Sequence, residues 1–272
     1  MSIFSRYRDH LAQFHRSLLQ PDQQLLEWRP IVMLLTAALS LLLMHYMKYS
    51  SVLHGYLLYF VQEDGSMASL ATALLRSEFY QLYQHLWWGS WLLLGYLIIP
   101  LLVIKWLFRD AIGEYGIAWG DTHRYLLWYG ALAGLILIFA WFASARTDFA
   151  NHYPFYRLAS RSWFDLLAWE VIYIIQFISL EFFFRGFMLN AAKRTFGLYA
   201  IFIMMLPYLM LHFQKPWLEA SGALFFALIL GYLALHSRSI WGGVMVHVSI
   251  ALGMDMMALY RTNRLPEVWW PL

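Results

Sequence analysis

An all-α bundle of membrane-spanning helices is the fold this sequence predicts, and three observations predict it. Of its 272 residues, 61 % are hydrophobic and only 13 % charged, whereas roughly a quarter of residues are charged in an average soluble domain. Apolar runs recur along the chain at 31–47, 86–108, 125–144, 166–191, 199–211, 220–235 and 240–260, most of them near the roughly 20 residues that cross a ~30 Å hydrocarbon core. The runs are continuous, without the short alternating segments of a β-barrel, so their backbone polar groups must be satisfied within helices. The expected architecture is a polytopic transmembrane helical bundle of about seven to eight spans.

The elements follow in order. Residues 1–30 mix Arg6, Arg8, Arg16 and Arg29 with Asp9, Asp22 and Glu27 and have no apolar core before Ile31, so they do not read as a cleavable signal peptide. Ile3, Phe4, Tyr7, Leu11, Phe14 and Leu18 recur at helical spacing, which predicts a peripheral helix lying on the membrane surface or packed on the bundle. Residues 31–162 hold the N-terminal transmembrane helices and their loops. Within them 52–62 is too short to cross alone and reads, with 68–85, as interfacial. Gly95, Pro100, Gly130 and Pro207 fall inside spans, where neighbouring helices pack closely or re-satisfy the backbone. Segment 112–117 is a turn. Residues 163–260 carry the core helices and 261–272 a C-terminal tail, in a single membrane domain. A weak Lys and Arg bias in the loops places the N-terminus on the cytoplasmic side, with the cell's inner membrane as the expected location.

Composition also excludes chemistry. The chain has no cysteine, so thiol catalysis, disulfides and thiolate metal sites are out. A net charge of +3 spread over short loops fits a lipid bilayer as partner and not nucleic acid. Pairs such as Trp87-Trp88 and Trp269-Trp270 read as interfacial belts, and Met204, Met205, Met210, Met254, Met256 and Met257 as core filler. His10, His15, His45, His54, His85, His123, His152 and His236 fall at helix ends or in loops, without ligand spacing.

The functional signal lies in Leu180-Glu181-Phe182-Phe183-Phe184-Arg185-Gly186. An acid and a base four residues apart at membrane depth are costly, and such groups usually mark a site. With Lys193-Arg194 as one interface and 1.5 Å of rise per residue, Glu181 lies roughly 16 to 18 Å deep, His212 about 18 to 20 Å and His247 about 12 Å. Three polar side chains on three helices thus converge, while Glu170 and Asp255 fall toward the far surface. A carboxylate with a neutral imidazole activates water as general base, and a second imidazole donates to the oxyanion of an attacked amide. The same pair, Glu181 and Arg185, reads equally as an ion pair that ties a helix down.

These residues resemble the CPBP family of intramembrane glutamic proteases, which includes CAAX-processing enzymes and bacteriocin-maturation or immunity proteins and was long called the Abi family. Its EExxxR motif, commonly ending FRG, is similar to residues 180–186; its FxxxH motif to Tyr208-Leu209-Met210-Leu211-His212; and its HxxxN or HxxxD motif to the segment from His247, after Ser239-Ile240-Trp241-Gly242-Gly243. The resemblance covers roughly residues 163–258. Beside that resemblance, the candidate catalytic residues of this chain are Glu181, His212 and His247, with Arg185, Tyr208 and Ser249 in support, acting on a membrane-associated peptide or protein without cofactor or metal. Two positions depart from it. Leu180 stands where the family's first glutamate, the usual base, would be, and Ala251 where the third motif has Asn or Asp. Glu181 matches the second glutamate, and a Glu held by Arg is a poorer base. Two readings follow: a divergent protease with Glu181 as base beside His212 and His247 at the oxyanion, or a pseudoprotease that binds a membrane partner without cutting it. Glu181, His212 and His247 also meet the ligand count of a catalytic zinc. The two histidines meet that of a haem, and a small transporter would spread its polar groups along a path.

Overall fold

The computed structural model describes residues 27–63, 65–213, 215 and 217–271. The peripheral helix expected before residue 27 lies outside them. Among the described residues six helical stretches are long and apolar enough to cross a membrane: Trp28–Met47, Tyr80–Phe108, Thr122–Ala143, Trp163–Met210, Glu219–Ser237 and Trp241–Arg261. The chain is an integral, multi-pass membrane protein, all-α among the described residues.

Six spans replace the seven to eight expected from hydropathy, and helix length is the reason. The run at 199–211 forms an 11-residue helix, Ala200–Met210, which rises only about 16 Å against the ~30 Å of the hydrocarbon core. It doubles back from the preceding helix at Gly197, where φ is +53°. The run at 52–62 likewise becomes a 13-residue helix, Ser50–Gln62. The second span begins at Tyr80, earlier than expected, so His85 belongs to its interior and packs between Tyr156 and Trp169, with ring centroids 5.4 and 4.8 Å away.

We label the helices α1 (Trp28–Met47), α2 (Ser50–Gln62), α3 (Ala68–Arg76), α4 (Tyr80–Phe108), α5 (Thr122–Ala143), α6 (Thr147–His152), α7 (Trp163–Glu181), α8 (Leu189–Phe196), α9 (Ala200–Met210), α10 (Trp217–Ser237) and α11 (Trp241–Arg261). A π-helical segment, Phe182–Met188, joins α7 to α8.

Ion pairs gather helix ends on one face. Arg29, opening α1, donates to Asp110 beyond α4 at 2.5 Å, Arg194 of α8 lies 2.6 Å from Glu114, and Arg238 after α10 reaches Asp121 ahead of α5. The hydrogen bond from Arg29 is the main reason the Asp110 carboxyl titrates below its ordinary range. The 112–117 segment is a tight turn, as expected: a 3₁₀ turn, Ile112–Tyr115, runs into Gly116 at φ +80°. Its Gly116 carbonyl accepts from the N–H of Ile240 at 2.9 Å, which fixes where α11 begins.

On the opposite face Ser162 caps α7. Its Oγ accepts from the N–H of Asp165, and the Asp165 carboxylate accepts in turn from Arg161, Tyr156 and Ser162 at 2.6 to 2.8 Å. The tail closes over the same helix end: carbonyls of Val268 and Trp269 accept from the N–H groups of Trp163 and Phe164, two donors that a helix start leaves free.

Lipid tails are as apolar as leucine, so the bundle is held by close packing and satisfied polar groups more than by water's exclusion. Small residues set the approach. A Cβ at Gly95 would run into Met44 of α1, and one at Gly242 into the ring of Tyr129 of α5. A broad buried core surrounds the π-helical segment, where Phe182, Phe183, Phe184, Phe187 and Met188 are all buried.

Candidate active site

The site is built where α7 passes into the π-helical segment. A π turn leaves backbone carbonyls without their usual partners, and such turns recur at functional sites. Here the Asn190 amide donates to the carbonyls of Arg185 and Gly186 at 3.0 and 2.7 Å. A Cβ at Gly186 would come within 2.8 Å of the Tyr115 carbonyl, so the glycine of this motif lets the segment dock on the 112–115 turn.

Glu181 and Arg185 are both buried, with side chains fully shielded. The Nη1 of Arg185 donates to Glu181 Oε1 at 3.0 Å, and its guanidinium carbon sits 4.4 Å from the centroid of the Tyr208 ring, a cation–π contact that offsets the cost of the buried charge. The same Oε1 lies 2.7 Å from Nδ1 of His247. That approach is ion-pair distance but off the line of a good hydrogen bond, for Nδ1 has no partner by angle; we read it as an electrostatic contact. Oε2 of Glu181 is unpartnered and faces Gly243, where a Cβ would collide with the carboxylate. Gly243 is therefore the contact that admits Glu181 between α7 and α11.

His247 is clamped by aromatics. Its ring stacks on Phe177 at 5.2 Å and meets Phe226 edge-on at 4.8 Å, and its Nε2 lies 3.1 Å from the Tyr208 hydroxyl. His212 follows α9, where its Nδ1 lies 3.0 Å from the Tyr208 carbonyl. A carbonyl only accepts, so that nitrogen carries the proton and Nε2 keeps the lone pair.

The sequence-predicted residues are thus partly united. Glu181, Arg185, Tyr208 and His247 form one contact chain, and His212 joins it through Tyr208. No hydrogen bond or ion pair links Glu181 to His212 among the described residues; the carboxylate turns to Arg185 and His247. Leu180, one residue and about 100° around the helix, does not supply a polar group. Ser249 stands apart, exposed, with its hydroxyl donating to the Met245 carbonyl at 2.6 Å. Farther up the α7–α11 seam Asp255 accepts from the indole of Trp169 at 2.7 Å. Among the described residues no group of three His, Asp or Glu side chains is arranged to hold a metal ion. A cavity of about 660 Å³ lies elsewhere, between α4, α7 and the tail, lined by Leu82, Phe164, Val171 and Trp270 among others.

Sequence reasoning missed Gly243, Phe177, Phe226 and Asn190. The Gly242-Gly243 pair opening an apolar helix was a legible sign of close approach; the aromatic clamp and the π turn left no local signal.

The fold and site define a class: a helical membrane protein holding an acid and imidazoles together inside the bundle. Residues 161–253 match the family model described as type II CAAX prenyl endopeptidase Rce1-like, which bears out over that stretch the resemblance read from the motifs. No curated protein and no solved structure matches the chain.

Proposed function

We propose that the chain is an intramembrane endopeptidase that hydrolyses a peptide bond of a membrane-associated protein or peptide. The carrying observation is the Glu181–His247 contact, a carboxylate 2.7 Å from an imidazole in a shielded interior, with His212 held to the same site through Tyr208. In this reading an imidazole takes the proton from water, and the oxygen adds to the amide carbonyl carbon. The carbonyl electron pair moves to oxygen, and collapse breaks the C–N bond as the proton passes to the leaving amine. Glu181, tied to Arg185, supplies the fixed negative charge that favours a positively charged imidazole in the transition state. The membrane setting and the family match over residues 161–253 support a membrane-associated substrate, and a prenylated CAAX end is not assumed.

Apolar Leu180 and Ala251, with a Glu181 carboxylate wedged against Gly243, favour a second reading: a scaffold that binds a membrane partner without cleaving it. The test is cleavage of membrane-anchored reporter peptides by the full chain in liposomes. Glu181→Gln, His212→Gln and His247→Gln are each expected to lower turnover by about 10²- to 10⁴-fold while peptide binding persists. Chelators leave turnover unchanged. Wild-type protein that binds peptides and never cuts them establishes the second reading instead.

A further inference from the structure

Tyr208 touches every polar member of the site except Glu181. Its ring lies under the Arg185 guanidinium, its backbone carbonyl accepts from His212, and its hydroxyl meets Nε2 of His247, all from a residue only 1 % exposed. A phenylalanine in its place would keep the ring and the carbonyl. Only the hydroxyl's contact is specific to tyrosine.

The donor arithmetic assigns that contact a direction. A lone pair on Nδ1 would be repelled by the ionised Glu181 oxygen 2.7 Å away, so Nδ1 holds a proton even though the approach is off the line of a hydrogen bond. In the neutral ring Nε2 then has only a lone pair, and among the described residues the group placed to meet it is the Tyr208 O–H, 3.1 Å away. We propose that Tyr208 is a positioning residue whose hydroxyl, by donating to Nε2, fixes His247 in the Nδ1–H tautomer, with the protonated nitrogen on the side of the ring that faces Glu181. Phe177 and Phe226 hold the plane of the ring but offer no hydrogen bond, so they set where the imidazole lies and not which nitrogen is protonated. The inference deepens the proposed hydrolase, and its geometric core does not depend on turnover.

The experiment is ¹⁵N spectroscopy of histidine-labelled full-length protein in nanodiscs, with the His247 signals identified by their loss in His247→Gln. Wild type is expected to show an unprotonated Nε2 hydrogen-bonded at His247. Tyr208→Phe is expected to move His247 toward the other tautomer or the doubly protonated ring, and to lower kcat about tenfold, or 1.36 kcal/mol, with KM unchanged. Site-specific 3,5-difluorotyrosine at position 208, a stronger donor of the same shape, is expected to shift the Nε2 signal the opposite way and serves if Tyr208→Phe fails to fold. A His247 spectrum indifferent to both substitutions overturns the proposal, whatever the activity. An enzyme that never cleaves while Tyr208→Phe changes the spectrum overturns the hydrolase reading and leaves the positioning role standing.

Discussion

Helix α5 and the α7-to-α9 stretch are both apolar enough to span a membrane, yet only 11 % of the former's most apolar window is buried inside the protein against 61 % of the latter's. The difference teaches what hydrophobicity is used for. In α5 it meets lipid, with Leu127, Phe139 and Phe142 exposed. In α7 and the π-helical segment it walls off an ion pair. A buried charge costs several kcal/mol unless paired, so Glu181 and Arg185 are sustainable only in the sheltered stretch, where Gly243 and the Tyr208 ring close around them.

The comparison breaks most sharply at Arg185. Arg185→Ala strands a shielded carboxylate and is expected to cost about 3 to 5 kcal/mol in unfolding from micelles, while Arg185→Met with Glu181→Leu loses far less. Additive losses in that cycle would show the two groups to be uncoupled.

Glycines offer the next contrast. Gly243→Ala drives a methyl into the Glu181 carboxylate and is expected to destabilise by about 1 to 3 kcal/mol through overpacking. Gly130→Ala on α5, where a Cβ meets nothing within 4 Å, is expected to stay within about 0.5 kcal/mol of wild type. Equal melting temperatures for the two variants would erase the distinction between sheltered and lipid-facing helices.

The smallest effect belongs to the part-buried pair that joins α1 to the segment after α4. Asp110 titrates below its ordinary value because Arg29 donates to it. Its contribution is therefore present above the unfolded carboxyl's range, near pH 4, and is lost as pH falls through the lower folded value. Asp110→Asn should remove about 1 kcal/mol or less at neutral pH, and its stability should converge on wild type in acid. A gap that persists below both carboxyl ranges would assign the effect to something other than charge.

How much was legible depended on range. The Glu181–Arg185 pair was readable because four residues make one helical turn, which places both groups on one side whatever surrounds them. The convergence of His247 on Glu181 was readable as depth, because rise per residue is fixed. Direction was not: the sequence left the carboxylate free to face His212, and only packing around Gly243, with Phe177 and Phe226 clamping His247, turned it to α11. Span count failed for a related reason, since hydropathy registers the 199–211 run but not that Gly197 reverses the chain and leaves α9 at half a bilayer.

By itself, then, the sequence determined an all-α membrane fold and the order of its motifs, because hydropathy and helical period act locally along the chain. The tertiary structure alone decided which imidazole meets Glu181, that Tyr208 bridges both histidines, and that six described stretches are long enough to span, because these depend on rotations, chain reversals and close contacts between helices far apart in the chain.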